Sequence, residues 1–454
     1  MRYDGHTIAR HCGGRLLADG PAGSVTTDTR ALSPGAWFVA LAGERFDGHR
    51  FLAQARAAGC AGAVVSGEVP DGWDRGLIRV DDTLRALQDL ASASRAAFGG
   101  PVVGITGSVG KTTTRTLAAL ALSPGERVHA TAGNLNNHIG LPLTLLARSE
   151  DCTLLVLELG MSAAGEIARL QAIGRPDVRL ITNVGPAHLE HLGSLEGVAR
   201  AKGELFDGAR PGDVLCVNSD DARVAALPHP AGARALRYGR SQDCDLRLLG
   251  ADVEGGGDAG TVPWVRYTVT VGPGRFRGRV PGPGLHMAQN ATAALATVLA
   301  LGRPLGPAIE AMEAYAPVGL RMRVEALPGG LTVLNDAYNA NPASMEAALA
   351  TLRTMPAKRR VALLGDMLEL GPTEVALHRD LLECALSGGI DLLGVCGPRM
   401  TAAAAGLEAP VVVAPGAEAL ARSVAARLLP GDLVLVKGSR GMAMERILHL
   451  LGGG

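Results

Sequence analysis

Pro101-Val-Val-Gly-Ile-Thr-Gly-Ser-Val-Gly-Lys-Thr-Thr113 runs from a short apolar strand through a glycine loop into a helix, and its reading decides the architecture of the chain. Gly107 and Gly110 let the backbone turn its N–H groups inward, with Ser108 and Val109 between them. Lys111 adds a point charge where β and γ phosphates would lie, and the Thr112 hydroxyl, with Thr113 behind it, is placed to hold Mg²⁺. A helix expected from about Thr112 to Leu122 adds its positive N-terminal end. The first glycine of the general G-x-x-x-x-G-K-[ST] pattern falls on Ile105. An ordinary glycine turn before a helix leaves the Lys-Thr-Thr unexplained, so the stretch reads as a polyphosphate cradle.

Length and composition bound the rest. At 454 residues the chain exceeds one ordinary core, and at ~150 residues per domain the expectation is three. With 44 basic and 44 acidic residues, a longest basic run of Lys358-Arg359-Arg360 and 3% aromatics, nucleic acid is not an expected partner. Met1 to Gly20 has no apolar h-region and no long apolar stretch occurs, so the expectation is a cytoplasmic protein without a membrane span. A monomer is expected. Seven widely spaced cysteines with no Cys-x-x-Cys pair read as small buried hydrophobes in a reducing compartment. Only four of the basic residues are lysine: Lys111, Lys202, Lys358 and Lys437. Arginine cannot replace lysine where a compact or neutralisable amine is needed, so Lys202 and Lys437 are candidates for chemistry.

Residues 1–98 read as a small α/β module, with a strand over Ala36–Leu41, a polar loop from Gly43 to His49, a helix from about Arg50 to Ala58 and a strand over Ala61–Ser66. Asp28, Thr29, Arg30, Asp47 and His49 form either a ligand pocket or a solvated rim. Residues 99–315 open at the phosphate loop. There follow the amide-rich loop Asn134-Leu-Asn136-Asn137, an apolar strand ending in Glu158, a strand running through Asn183 to His188, and a helix from about 195 to 209 carrying Lys202. A carboxylate at the carboxyl end of a parallel strand beside a phosphate loop is where a Mg²⁺ ligand belongs. A lone histidine is more often structural than a ligand. Residues 234 to 281 alternate and read as antiparallel strands appended to a mostly parallel sheet.

Residues 316–454 follow a linker near Ala316. A Pro-Gly-Gly turn at 328 to 330 leads into Asn335-Asp336-Ala-Tyr338-Asn339-Ala-Asn341-Pro342, after which Ser344 is expected to open a helix. Strands over 360–366, 391–396 and 432–437 each deliver polar residues at their carboxyl ends, as in an open α/β sheet.

Taken in order, these stretches resemble the Mur ligase family over nearly the whole chain. The resemblance rests on Thr106-Gly-Ser-Val-Gly-Lys-Thr112, Gly133-Asn-Leu-Asn-Asn137, Glu158, Asn183 to His188, Ala201-Lys-Gly-Glu204, Asp336-Ala-Tyr-Asn-Ala-Asn-Pro342 and Lys437-Gly-Ser-Arg440. It implies three α/β domains: a small N-terminal one (1–98) receiving a UDP-sugar, a central P-loop ATPase-like one with a mostly parallel sheet (99–315), and a Rossmann-like C-terminal one (316–454) receiving the amine. The family's His-Asn-x-x-Asn is His286-Met-Ala-Gln-Asn290 here, so only Asn290 carries over as an adenine contact. The family's Gly-Arg is Leu320-Arg321, which keeps the arginine as a nucleotide contact and removes a flexible glycine.

The implied reaction is an ATP-dependent ligation of D-alanyl-D-alanine to UDP-N-acetylmuramoyl-tripeptide in peptidoglycan precursor synthesis, through an acyl phosphate. The implied catalytic set is Lys111, Glu158, His188 and Lys202. Thr112 and Glu158 would hold one Mg²⁺; Glu158, His188 and Lys202, modified as a carbamate, would hold a second. Asp28, Thr29, Arg30, Asp47, His49, Asn134, Asn136, Asn137, Asp336, Tyr338, Asn339 and Asn341 are the implied substrate contacts. An NTPase switch would share the phosphate loop, but no Asn-Lys-x-Asp guanine motif occurs. A sister ligase adding an amino acid or glutamate is the nearest competitor.

Overall fold

The computed structural model describes residues 1–43, 46–256 and 260–452. Glu44 and Arg45, inside the expected polar loop, and residues 257–259, inside the expected antiparallel segment, lie outside the described residues. The fold is α/β with several sheets, and the chain divides into two compact units. One comprises Met1–Gly104, Gly125–Met161 and Gly165–Val178; the other comprises Ile105–Pro124, Ser162–Ala164 and Arg179–Gly454. The strand Val102–Thr106 leaves the first unit at Gly104 and enters the second at Ile105, so the glycine loop and its helix, Lys111–Leu122, belong to the second.

The first unit carries a five-stranded sheet in the order Arg15–Ala18, Gly76–Arg79, Gly62–Val65, Trp37–Val39, Val25–Thr26. The first pair is antiparallel and the others are parallel. Trp37 is fully buried, its Nε1 donating to Pro21 O at 3.0 Å. Its ring needs two glycines: a Cβ on Gly62 would stand 2.4 Å from the ring and one on Gly76 2.5 Å from it. The helix Thr83–Ala96 is capped by Asp82, whose carboxylate accepts from Leu84 N and Arg85 N. It packs against the helices Gly140–Ala147 and Glu166–Gly174. A further parallel pair, Val128–Ala130 with Leu154–Glu158, brings Glu158 to its carboxyl end.

In the second unit the helix Lys111–Leu122 lies against His286–Ala300. The region 234–281 departs from the expectation. Arg234–Gly239 pairs parallel, not antiparallel, with Val214–Asn218, because the helix Ala222–Ala225 and the loop after it carry the chain back to the starting edge. Leu246–Glu254 is also parallel to Arg234–Gly239 but shares only the two pairs Tyr238 with Leu246 and Gly239 with Arg247. That stagger lets a short loop join two parallel strands. Only Leu246–Glu254, Trp264–Val271 and Gly274–Pro281 form the antiparallel meander.

A six-stranded sheet follows in the order Arg323–Leu327, Leu331–Asp336, Asp432–Lys437, Arg359–Gly365, Leu392–Cys396, Val411–Ala414; only its first pair is antiparallel. The last strand in sequence inserts between two earlier ones. Asp336 therefore stands opposite Lys437, and Lys437 opposite Leu364, at one carboxyl edge. The helix expected to open at Ser344 starts earlier, at Pro342. Asn341 is its cap, its side chain accepting from Ser344 N at 2.9 Å while the Ser344 hydroxyl accepts from Asn341 N at 3.0 Å. Five of the seven cysteines are buried, and among the described residues no helix is long and apolar enough to cross a membrane.

Arg179 and Asp213 form a buried pair at 3.1 Å, with side-chain exposures of 1% and 7%. Asp213→Ala leaves a guanidinium charge inside the second unit, and a loss of about 3–5 kcal/mol in unfolding free energy is expected from urea denaturation.

Candidate active site

The glycine loop is held from outside by the end of a neighbouring strand. Asn183 lays its side-chain amide along the Val109 peptide, accepting from Val109 N at 2.9 Å and donating to Val109 O at 3.0 Å. Thr182 Oγ1 also donates to Val109 O, at 2.7 Å, and Ser108 exchanges hydrogen bonds with the Gly185 backbone. Gly107 has φ +150, and a Cβ there would stand 1.8 Å from Thr182 Oγ1, so no side chain fits. Gly110, at φ +82, abuts the side chain of Asn290, which accepts from Thr114 Oγ1 at 3.3 Å. Lys111 Nζ folds back onto its own loop, donating to Gly107 O at 2.6 Å. Asn290 and the loop thus meet.

The strand end is itself pinned. Asn218 Nδ2 donates to Thr182 O at 2.6 Å, and Asp221 accepts from Val184 N at 2.7 Å. Asn218, Asp220, Asp221, Asn183, Gln289 and Asn290 line a cavity of about 210 Å³ beside the loop.

Lys111, His188 and Lys202 come together electrostatically. Burial, and then the positive charge of Lys111, hold the Lys202 amine well below the ordinary lysine range. Lys202 is 2% exposed and has no hydrogen-bond or ion-pair partner among the described residues. Burial also lowers His188, with Lys111 and Lys202 acting in the same direction and Glu369 against them. His188 Nδ1 lies 2.5 Å from Glu369 Oε2. Glu369 is a site residue that sequence reasoning missed: it is 181 positions away, with no local pattern to mark it.

Glu158 belongs to the first unit, where it is 1% exposed and accepts from Asn136 Nδ2 at 2.8 Å. Asn137 Oδ1 accepts from Ile139 N and Gly140 N just before the helix Gly140–Ala147, and Asn134 is an exposed turn residue whose carbonyl accepts from Asn136 N. Elsewhere in that unit Asp28 and Arg30 pair with each other, which holds the Asp28 carboxyl down to about 2, and Thr29 Oγ1 lies 3.1 Å from Gln54 Oε1. His49 has both ring nitrogens engaged, Nδ1 with Asp47 at 2.6 Å and Nε2 accepting from Ser66 N and Gly67 N at 3.0 Å.

At the carboxyl edge of the six-stranded sheet, Lys437, 2% exposed, donates to Asp336 and, at 2.8 Å, to Asn339 O. His286 is half-buried: desolvation lowers its pKa first, with Asp336 and Lys437 pulling in opposite directions. The Arg321 guanidinium stacks 3.6 Å over the Tyr338 ring, joining a residue expected at the nucleotide to one expected at the amine. Asn341 is occupied as a helix cap.

Three family models match the chain: the Mur ligase family catalytic domain over residues 22–95, the Mur ligase middle domain over 105–298, and the Mur ligase glutamate ligase domain over 320–440. The UDP-N-acetylmuramoyl-tripeptide–D-alanyl-D-alanine ligase of Bacillus subtilis strain 168 is 37% identical, covering 93% of this chain and 92% of that protein. Among solved structures, MurF from Acinetobacter baumannii superposes with a TM-score of 0.89 at 28% identity, covering 100% of this chain and 99% of the other. MurF from Thermotoga maritima in complex with ADP gives 0.82 at 28% identity, covering 95% and 97%. The chain belongs to the Mur ligase family.

The Lys437–Asp336 pair generates a prediction independent of substrate. Asp336→Ala strands a buried ammonium and is expected to cost about 3–5 kcal/mol, read as a lowered denaturation midpoint.

Proposed function

We propose that the chain is an ATP-dependent, ADP-forming ligase that joins D-alanyl-D-alanine to UDP-N-acetylmuramoyl-tripeptide in cytoplasmic peptidoglycan precursor synthesis. The observation that carries this reading is the buried Lys202 amine, without a partner among the described residues, set with His188 beside the Lys111 phosphate loop. Relatives carrying that activity by name match along nearly the full chain, which supports it. Residues 1–98, 99–315 and 316–454 receive the UDP-sugar, ATP and D-alanyl-D-alanine respectively, a division supported by the three matched family models.

The chemistry follows from the poor electrophilicity of a carboxylate. A tripeptide carboxylate oxygen attacks the γ-phosphorus of ATP, the bond from that phosphorus to the β–γ bridging oxygen breaks, and ADP leaves. The amine nitrogen of D-alanyl-D-alanine then attacks the acyl carbon, the bond to phosphate breaks, and the nitrogen gives up a proton. Lys111 leaves Gly107 O to neutralise phosphate charge, and the loop, fixed in shape by Asn183, orients it. Gly107 to Thr113, Asn290 and Arg321 bind the nucleotide. Asp28, Thr29, Arg30, Asp47, His49, Asn134, Asn136 and Asn137 serve the UDP-tripeptide, and Asp336, Tyr338, Asn339 and Asn341 serve the amine. His49 acts here by shaping backbone, since both its ring nitrogens are engaged within the protein.

Mg²⁺ supplies charge neutralisation at the transferring phosphoryl group. Among the described residues no three His, Cys, Asp or Glu side chains converge as a preformed cage. That suits Mg²⁺, which takes few protein ligands and completes its shell with phosphate and water. Thr112, His188 and a carbamylated Lys202 are the ligands proposed in the second unit, and Glu158 takes the same duty on the family pattern. The chain fits the carbamate because a buried amine without an anionic partner is held toward the neutral, CO₂-reactive form.

ADP and phosphate are expected to accumulate only when ATP, the UDP-tripeptide and D-alanyl-D-alanine are all present; rapid turnover with neither acceptor would identify a plain NTPase instead. Lys202→Arg is expected to lose about 100-fold or more in turnover, because a guanidinium cannot take up CO₂. Lys202→Ala regains part of its activity with acetate supplied. A Lys202→Arg enzyme as fast as wild type would remove the carbamate.

A further inference from the structure

The segment from Asp366 to Gly371, after the strand Arg359–Gly365, is fastened at nearly every residue. Asp366, 0% exposed, accepts from Arg399 N at 3.2 Å and Met400 N at 2.8 Å, at the head of the helix Pro398–Ala404. Met367 N donates to His378 Nε2 at 2.8 Å, and Leu368 N to Ser439 Oγ at 2.9 Å. These bonds present Glu369 at the tip. Its Oε2 lies 2.5 Å from His188 Nδ1, and its carbonyl accepts from Glu190 N at 3.2 Å. Gly371 backs onto the same strip, where a Cβ would stand 3.3 Å from Glu190 Cα.

Both partners are in the left-handed region, His188 at φ 56 and Glu369 at φ 62. A non-glycine residue is strained in such a conformation and keeps it only where surrounding contacts over-determine it. Here two strained residues face each other across a single hydrogen bond. The histidine comes from the loop after Val178–Ile181, the glutamate from the six-stranded sheet.

We propose that Glu369 is a positioning residue for His188: by accepting the Nδ1 hydrogen it fixes the imidazole as the Nδ1–H tautomer, leaves Nε2 as the cation-ligating nitrogen, and ties the amine-binding sheet to the phosphate site. The inference rests on His188 being a metal ligand. A carboxylate behind a ligating histidine sets its tautomer and raises its basicity, and losing such a carboxylate costs about 10–100-fold in metal affinity.

Two measurements test it on the full chain. In metal-free protein labelled with ¹⁵N-histidine, His188 is expected to show the Nδ1–H pattern, and Glu369→Ala to shift it toward Nε2–H. In an Mn²⁺ titration with ADP followed by electron paramagnetic resonance, the same variant is expected to bind Mn²⁺ about 10–100-fold more weakly, with ADP affinity in the absence of metal unchanged. Glu369→Asn, which tolerates the left-handed backbone but is too short to reach His188, repeats both effects and controls for folding. A tautomer or an Mn²⁺ affinity indistinguishable from wild type in the folded variants overturns the role of Glu369. Wild-type protein that binds no Mn²⁺ in the presence of ADP overturns the metal-ligand reading and this inference with it.

Discussion

The shape of the glycine loop depends on one side-chain amide that bridges the backbone N–H and C=O of a single residue. Asn183 satisfies both the N–H and the C=O of Val109, and with Thr182 and Gly185 it fixes the shape of the glycine loop. Parallel N–H dipoles repel one another, so a loop left to itself would turn some of them away. Preorganising them in advance of phosphate is what makes them useful during transfer. The rigidity is borrowed: Asn218 and Asp221 pin the strand end that carries Asn183.

Two buried lysines show how environment assigns chemistry to one residue type. Lys437 has the Asp336 carboxylate and a carbonyl as partners. Lys202 has neither among the described residues, and Lys111 adds a like charge nearby. A buried ammonium without an anion is costly, and the group escapes that cost by losing its proton. The first lysine is therefore suited to hold structure together and the second to react.

Contacts between distant segments recur at the same edge. Arg321 on Tyr338 and Glu369 on His188 each join a residue assigned to the nucleotide or phosphate side with one from the six-stranded sheet. Because the last strand inserts between Leu331–Asp336 and Arg359–Gly365, a single edge collects Asp336, Lys437 and the segment leading to Glu369.

Much of this was legible in the sequence, because it is local. A strand followed by Gly-Ser-Val-Gly-Lys-Thr-Thr can be read within a dozen residues, and so can the Pro-Gly-Gly turn and the polar ends of the apolar strands, since each follows from backbone freedom or side-chain periodicity. The scarcity of lysine already marked Lys202 and Lys437. What the tertiary structure alone decided is pairing across long separations: that Arg234–Gly239 joins its neighbour in parallel, that Lys437 meets Asp336 while Lys202 meets no carboxylate among the described residues, that His49 and Asn137 bond the backbone, and that Glu369 stands behind His188. The physical reason is that hydrogen bonds and desolvation act over a few ångströms in space, and residues 181 positions apart in the chain come within that range only after the sheets have formed.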